Sequence, residues 1–401
     1  VSETAIQKID KYTMTTYGRQ PVCFVRGQGM RLWDDAGKEY LDFLAGIAVV
    51  GLGHSDPAVC QAVCNQILNL THVCNLYYTE PQARVAELLV QNSFADRVFF
   101  CNSGAEANEG ALKLTRLWGK KYLHGAYGVI TMYGSFHGRT MKTLSATGQK
   151  KIQQGFEPLA PGFTHVPYGD LEALDQAWDG NTCAVLLEPV LGEGGVVLPP
   201  EGYLARVRDL CTKRGALLIY DEIQTGLGRT GKLFAYQHSG VEPDIMTLAK
   251  SLSNGLPAGA VCATEKAAEL FIPGTHGTTF GAGPVLMEAA RVVLETLTQP
   301  GFMERVEGTG NYFLERLRML AHQHPDKVTE VRGMGLMLGL ELKGNGAPLV
   351  AELLQRGFVV NCTQDKVLRF LPPLIVMQEH IDALMEALEE VLATWQPQAA
   401  K

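Results

Sequence analysis

Apolar positions recur at helical spacing from Pro57 to Leu70 and from Glu80 to Gln91, which predicts two amphipathic helices early in the chain. Before them, residues 1–20 are mixed and polar and read as an arm. Residues 21–44 hold short alternating runs split by Gly27, Gly29 and the turn Asp34 to Gly37, the pattern of a hairpin or small meander. From Val98 onward, short continuous apolar runs alternate with helical stretches. Val98 to Cys101, Gly128 to Met132, Cys183 to Glu188, Ala216 to Gln224 and Pro243 to Lys250 read as strands, and Ala105 to Tyr122 and Gly202 to Arg214 as helices. Strands apolar on both faces, alternating with helices, predict a mainly parallel sheet covered on both sides.

After Gly283 the pattern changes again. Met287 to Leu297 and Phe302 to His322 read as long helices. Gly335 to Leu342, Phe358 to Asn361 and Val367 to Leu371 read as strands, and His380 to Trp395 as a closing helix. The expected fold class is therefore α/β, a large mainly parallel sheet domain sandwiched by helices with a smaller α+β domain. Residues 1–60 are expected to form the arm and a segment joining the small domain, 61–284 the large domain and 285–401 the small one. A chain of 401 residues is long enough for both.

Composition narrows the function. Hydrophobic residues make up 46% and charged residues 19%, ordinary for a soluble enzyme. A formal charge of −7, with no basic block, argues against nucleic acid. No run approaches the ~18 apolar residues of a membrane span, and residues 1–10 lack the apolar stretch of a signal peptide. Nine cysteines, an odd number scattered from Cys23 to Cys362, point to reduced thiols and a cytoplasmic setting. Cys60 and Cys64 stand one helical turn apart near His54 and His72, but no second close pair completes a metal site, so none is expected.

The candidate chemistry lies at strand ends. Lys250 closes one apolar strand and Asp221 another. A buried lysine and a buried aspartate so placed suit pyridoxal phosphate: the lysine would hold it as a Schiff base, and the aspartate would keep its pyridine nitrogen protonated. Alone, a lysine ending a strand is more often structural. Ser103, Gly104 and Ala105 fall between a strand and a helix, where free N–H groups and the helix dipole favour a phosphate. Ordinary N-capping fits them equally well. Phe136, His137 and Arg139 share one loop. Phe136 could lie against an aromatic cofactor or be plain core, and Arg139 could grip a carboxylate or make a surface ion pair. Beyond Asp221, Ile223 would pack on the ring face opposite Phe136 and Gln224 would reach the ring oxygen, with Glu222 a cofactor-binding candidate between them. The glycine-rich stretch Gly226 to Gly231 resembles a phosphate loop but lacks the Lys-Ser/Thr ending. Glu188 and Glu193 follow another strand, Thr278 and Thr279 offer hydroxyls that could meet phosphate, and Arg369 is a charge in an apolar strand that calls for a buried partner or ligand.

Together, Asn102 to Glu109, Ser135 to Thr140, Glu188-Pro189 with Gly192 to Gly195, Asp221 to Gly226, Gly228 to Gly231, Asp244 to Lys250 and Thr275 to Thr279 resemble the class III, fold-type I pyridoxal-phosphate aminotransferases, most closely those of the acetylornithine type. The resemblance runs from about residue 10 to 395. It implies that Lys250 carries the cofactor and acts as general base. Asp221 would meet the pyridine nitrogen, Gln224 the ring oxygen, Phe136 the ring face, and Ser103, Gly104 and Ala105 the phosphate. Thr279 would come from the other subunit of a homodimer. Arg139 would take the distal carboxylate of the substrate, with Thr278 grouped beside the substrate. Arg369 would take the carboxylate next to the reacting carbon of 2-oxoglutarate, and Glu193 would shield it when the amine donor binds. The implied reaction moves the terminal amine of N2-acetylornithine to 2-oxoglutarate.

Succinylornithine, ornithine and 4-aminobutyrate stay open as donors. A glutamate-1-semialdehyde-type aminomutase and a non-catalytic binding relative are further alternatives. Arg369 with Glu193 weighs against the first, and intact Lys250 and Asp221 against the second. Ile47 stands where ornithine-using relatives carry a tyrosine, which favours an N-acylated donor; its apolar neighbours fit a simple core position too. One departure is Gly281-Ala282-Gly283-Pro284, where the family usually reads Gly-Gly-Asn-Pro.

Overall fold

The computed structural model describes residues 4–397; residues 1–3 of the arm and 398–401 of the C-terminal block lie outside it. The arm carries a short helix, Ala5–Tyr12, capped by Thr4 and burying none of its residues. Strands β1 (Phe24–Gln28), β2 (Arg31–Asp34) and β3 (Glu39–Asp42) form the expected meander. Its last strand pairs in parallel with Phe358–Val359 from the far end of the chain.

Seven strands make the central sheet: β4 (Arg97–Cys101), β5 (Gly128–Met132), β6 (Phe163–Val166), β7 (Thr182–Leu187), β8 (Leu217–Asp221), β9 (Ile245–Leu248) and β10 (Gly259–Ala263). Their order is β4-β10-β9-β8-β7-β5-β6. Only β10 runs against its neighbours β4 and β9; the other pairings are parallel. β5, β7, β8 and β9 are buried along their whole length, as strands covered on both faces must be. Periodicity did not point to β6 or β10. β10 is Gly-Ala-Val-Cys-Ala, and small residues give little strand signal.

The third sheet is antiparallel, built from β11 (Val328–Met334), β12 (Met337–Leu342), β14 (Asn361–Thr363) and β15 (Val367–Phe370), with β13 (Phe358–Val359) joined instead to the meander. The run expected as one strand from Phe358 to Asn361 is thus divided between two sheets at Val360. Helices Phe302–Gln323, Ala347–Gln355 and Gln378–Thr394 pack around this sheet. Helix Pro284–Leu297 lies against helices Pro57–Asn69 and Glu80–Gln91 and against the turn that begins at Lys250.

The glycine-rich stretch after β8 is packed between the blocks rather than open to a ligand. Arg229 is 1% exposed and donates to the Leu336 and Pro372 carbonyls at 3.0 and 2.6 Å. Among the described residues no helix is long and apolar enough to cross a membrane.

Candidate active site

The carboxyl ends of β4, β5, β7, β8 and β9 open on one cavity of about 460 Å³, where open α/β sheets place their ligands. Ten of the expected residues line it: Ser103, Gly104, Ala105, Phe136, Arg139, Glu193, Asp221, Ile223, Gln224 and Lys250.

One end of the cavity is a helix start. Ser103 caps helix Gly104–Tyr122 by accepting from Glu106 N, leaving the first N–H groups of the helix without an intrahelical acceptor. A Cβ on Gly104 would come within 2.7 Å of Ile223 Cδ1, so glycine is what lets the helix start and the Ile223 side chain share this wall.

Asp221 ends β8 and is 3% exposed. Its Oδ2 accepts from Asn108 Nδ2 at 2.7 Å and faces His137 Nδ1 at 2.7 Å. An ionised carboxylate only accepts, so the His137 proton on that side sits on Nδ1. Its Oδ1 accepts from Ile223 N at 3.1 Å. Asn108 is held in turn by Thr247 Oγ1, which donates to its Oδ1 at 2.8 Å, and it also donates to the His137 carbonyl at 2.8 Å. His137 and Asn108 lie within the sequence motifs, but nothing in those motifs points to this role. The available signal was a polar Asn108 one turn beyond Gly104, on the helix face turned toward the sheet.

Lys250 follows β9 by two residues, in the left-handed conformation (φ 47), and opens a short turn to Ser253. Burial pulls its amine down from 10.5 to about 8; Arg369 adds to the fall, and Glu193, Glu188 and Asp221 oppose it. Glu188 is the acid that directly follows β7. It lines the cavity and accepts from Phe136 N at 2.9 Å and Gly192 N at 3.0 Å, so it ties two walls together. Burial raises its carboxyl to about 7, against the opposing pull of His137.

Arg369 is fully buried and does not itself line the cavity. Its Nη1 donates to Glu193 Oε1 at 2.6 Å and Gln224 Oε1 at 3.2 Å, and its Nε to Asn361 Oδ1 at 3.3 Å. Burial would raise the Glu193 carboxyl, but the Arg369 guanidinium outweighs it and holds the group low. Gln224 reaches this pair because Gly192 has no side chain: a Cβ there would lie 2.3 Å from Gln224 Oε1. Arg139 is exposed at the cavity edge, its guanidinium carbon 5.5 Å from the Phe136 ring centroid, with no carboxylate partner among the described residues.

Four candidates are placed elsewhere. Glu222 points away from the cavity, because successive side chains leave a strand on opposite sides. It is buried and accepts from Ala235 N at 2.6 Å and Tyr236 N at 2.8 Å, a scaffold role, and burial raises it to about 7. Thr278 Oγ1 accepts from Asn102 Nδ2 at 3.0 Å, next to the helix start but outside the cavity wall. Thr279 is exposed and does not reach the cavity of its own chain. Ile47 is 36% exposed and also lies off the cavity wall, whereas Val49 is on it. Ile47 belongs to a turn, Ala45–Ala48, with φ values of 52, 66, 68 and 59, all left-handed although only Gly46 is glycine. Such backbone costs about 1–2 kcal/mol for each non-glycine residue. At the departure Gly281–Pro284, Ala282 also takes a left-handed φ of 63, where the family usually has glycine.

These residues fit pyridoxal phosphate. A helix start with free N–H groups, a wall that only glycine allows, a carboxylate that lines the cavity and an amine lowered by burial would suit its phosphate, ring face, pyridine nitrogen and aldehyde respectively.

The sequence profile described as Aminotransferase class-III matches residues 12–392. An acetylornithine aminotransferase of Methanocaldococcus jannaschii is 51% identical over 382 residues, covering 95% of this chain and 96% of that protein. One of Methanothermobacter thermautotrophicus is 48% identical over 98% of this chain and 99% of its own. Among solved structures, N-acetylornithine aminotransferase from Stenotrophomonas maltophilia superposes with a TM-score of 0.83 at 36% identity, covering 97% of this chain and 98% of its own. An ornithine aminotransferase from Toxoplasma gondii, with pyridoxal phosphate at its active site in partial occupancy, gives 0.91 at 35% identity, covering 96% and 92%.

Proposed function

We propose, for a chain that belongs to the class-III aminotransferase family and is a pyridoxal-phosphate-dependent transaminase, that its donor is N2-acetylornithine and its acceptor 2-oxoglutarate. The products are then N-acetylglutamate 5-semialdehyde and glutamate. The observation that carries a two-substrate exchange is the Arg369–Glu193 pair at 2.6 Å. With Arg369 neutralised, the terminal amine of a donor, which has no carboxylate on its reacting carbon, can occupy the site. With Glu193 turned away, Arg369 takes the carboxylate beside the keto carbon of 2-oxoglutarate. An aminomutase needs no such exchange. Arg139, which has no carboxylate partner among the described residues, takes the distal carboxylate of either substrate.

When bound, the cofactor supplies an aldehyde carbon for the amine and a protonated ring that accepts electrons from the substrate carbon. Asp221 would face the ring nitrogen, with Asn108 and His137 keeping its carboxylate aimed. Lys250, neutral above about pH 8, removes the proton from the donor's amine-bearing carbon. Phe136 and Ile223 would pack on opposite faces of the ring, and Gln224 would hold its ring oxygen.

The apolar cavity wall at Val49 fits an uncharged acyl amide, whereas a free α-ammonium there would lose hydration without a partner. The expected result is a kcat/KM for N2-acetylornithine at least about tenfold above that for ornithine, about 1.4 kcal/mol of discrimination. A donor screen with 2-oxoglutarate checks it. Comparable values for the two donors would remove the specificity while leaving the transaminase intact.

The active unit in this reading is a homodimer in the cytoplasm. Leu76, Tyr77 and Tyr78 are 85, 65 and 104% exposed, and Phe280 is 65% exposed. Asn75 joins the two segments by donating to the Gly281 carbonyl at 2.9 Å, and His72 lies 5.5 Å from Phe280 between ring centroids. Thr279 lies beside this exposed aromatic surface, which supports a second copy covering it and Thr279 serving the neighbouring cofactor phosphate. All nine cysteines are free, which fits a reducing compartment. Dilution below the dimer dissociation constant should release cofactor and activity together. Sedimentation velocity run alongside the assay checks this, and a fully active, cofactor-loaded monomer would refute the shared site.

A further inference from the structure

The left-handed turn Ala45–Ala48 is pinned at both ends. In front, Asp42 Oδ1 accepts from Leu44 N and Ala45 N, each at 2.8 Å, and Asp42 Oδ2 pairs with His54 Nε2 at 2.7 Å. Behind, the Ala48 carbonyl accepts from Ser251 Oγ at 2.8 Å, across 203 positions of sequence. Ser251 is the residue after Lys250 and is 6% exposed. Gly51 leaves room for this hydroxyl: a Cβ added there would stand 3.1 Å from Ser251 Oγ. Val49, the first residue past the turn, lines the same cavity as Lys250.

We propose that Ser251 is a positioning residue for donor choice: its hydroxyl holds the strained turn so that Val49 stays as a dry apolar wall beside Lys250. This rests on the donor reading above. A left-handed run of mostly non-glycine residues relaxes when a restraint is removed. Without the Ser251 bond, the buried Ala48 carbonyl seeks water, the wall loosens, and a charged ammonium is less penalised. The acceptor half of the reaction does not depend on this wall, because 2-oxoglutarate is gripped by Arg369 and Arg139.

The test compares wild-type holoenzyme with Ser251→Ala and Ser251→Cys, the latter keeping the size and a weak donor. Four readouts are taken: kcat/KM for N2-acetylornithine and for ornithine, the single-turnover rate with 2-oxoglutarate, amide exchange of residues 45–50, and borohydride trapping of cofactor on Lys250. In Ser251→Ala, the preference for the acylated donor should fall about fivefold or more, mainly through KM, while the 2-oxoglutarate rate stays within about twofold. Exchange at 45–50 should quicken, trapping should persist, and Ser251→Cys should lie between. Should Ser251→Ala fail to hold cofactor, Ser251→Cys carries the same comparison. A preference unchanged from wild type, or donor and acceptor rates falling in parallel, overturns the proposal. If the wild type itself shows no preference for N2-acetylornithine, the donor reading fails instead, and unchanged exchange at 45–50 then overturns the tether as well.

Discussion

Lys250→Ala should transaminate roughly 10⁴-fold more slowly than the wild type, because the same amine both anchors the cofactor and moves the substrate proton. Cofactor should still bind, held by the helix start at Ser103–Ala105 and by Asp221, but without a covalent link. In the wild type, borohydride should fix the cofactor mass on the peptide that contains Lys250. The capture of added cofactor by stripped protein should show the lowered amine directly. Only the neutral amine attacks an aldehyde, and burial lowers Lys250 from 10.5 to about 8, so the capture rate should climb through about pH 8 and level off above it. A label on any other lysine, or a rate still rising steeply past pH 10, would remove Lys250 from this role.

Asp221→Asn should slow single-turnover proton abstraction by about 10³-fold while cofactor occupancy falls far less. The substitution keeps the size but loses the charge that holds a proton on the ring nitrogen. It also meets two donors already in place, Asn108 Nδ2 and His137 Nδ1, each 2.7 Å from the Asp221 carboxylate. An amide can satisfy them only through its oxygen, which leaves its NH2 where Asp221 Oδ1 accepts from Ile223 N, and a neutral amide no longer favours a protonated ring. Phosphate contacts and the Lys250 linkage remain, which is why binding should survive. Half-reaction rates equal to those of the wild type would exclude the assignment.

Much of this site was legible along the chain because its residues sit at strand ends, and strand ends are what hydrophobic runs mark. Lys250, Asp221, Glu193 and Ser103 each follow an apolar segment, and the carboxyl ends of parallel strands converge on one side of a sheet. Glu222 shows the limit of reading by adjacency. It neighbours Asp221 in sequence, yet the period of two in a strand sends it to the opposite face, where backbone N–H groups of Ala235 and Tyr236 hold it.

The sequence by itself determined the alternation of strand and helix, the order of the motifs, and the chemical type available at each strand end. The tertiary structure alone decided which of those groups meet. Arg369 lies 176 positions from Glu193 and Ser251 lies 203 from Ala48, and no local period relates residues so far apart. The second layer on Asp221 comes from a helix, a loop and the neighbouring strand that only sheet order brings together. Val49 rather than Ile47 faces the cavity because four left-handed residues rotate that segment, a conformation that the run Ala45 to Val50, with a single glycine, does not announce. Hydrophobic pattern reports which face of an element is buried. Long-range pairing, and the backbone strain it can hold in place, determines what that face is buried against.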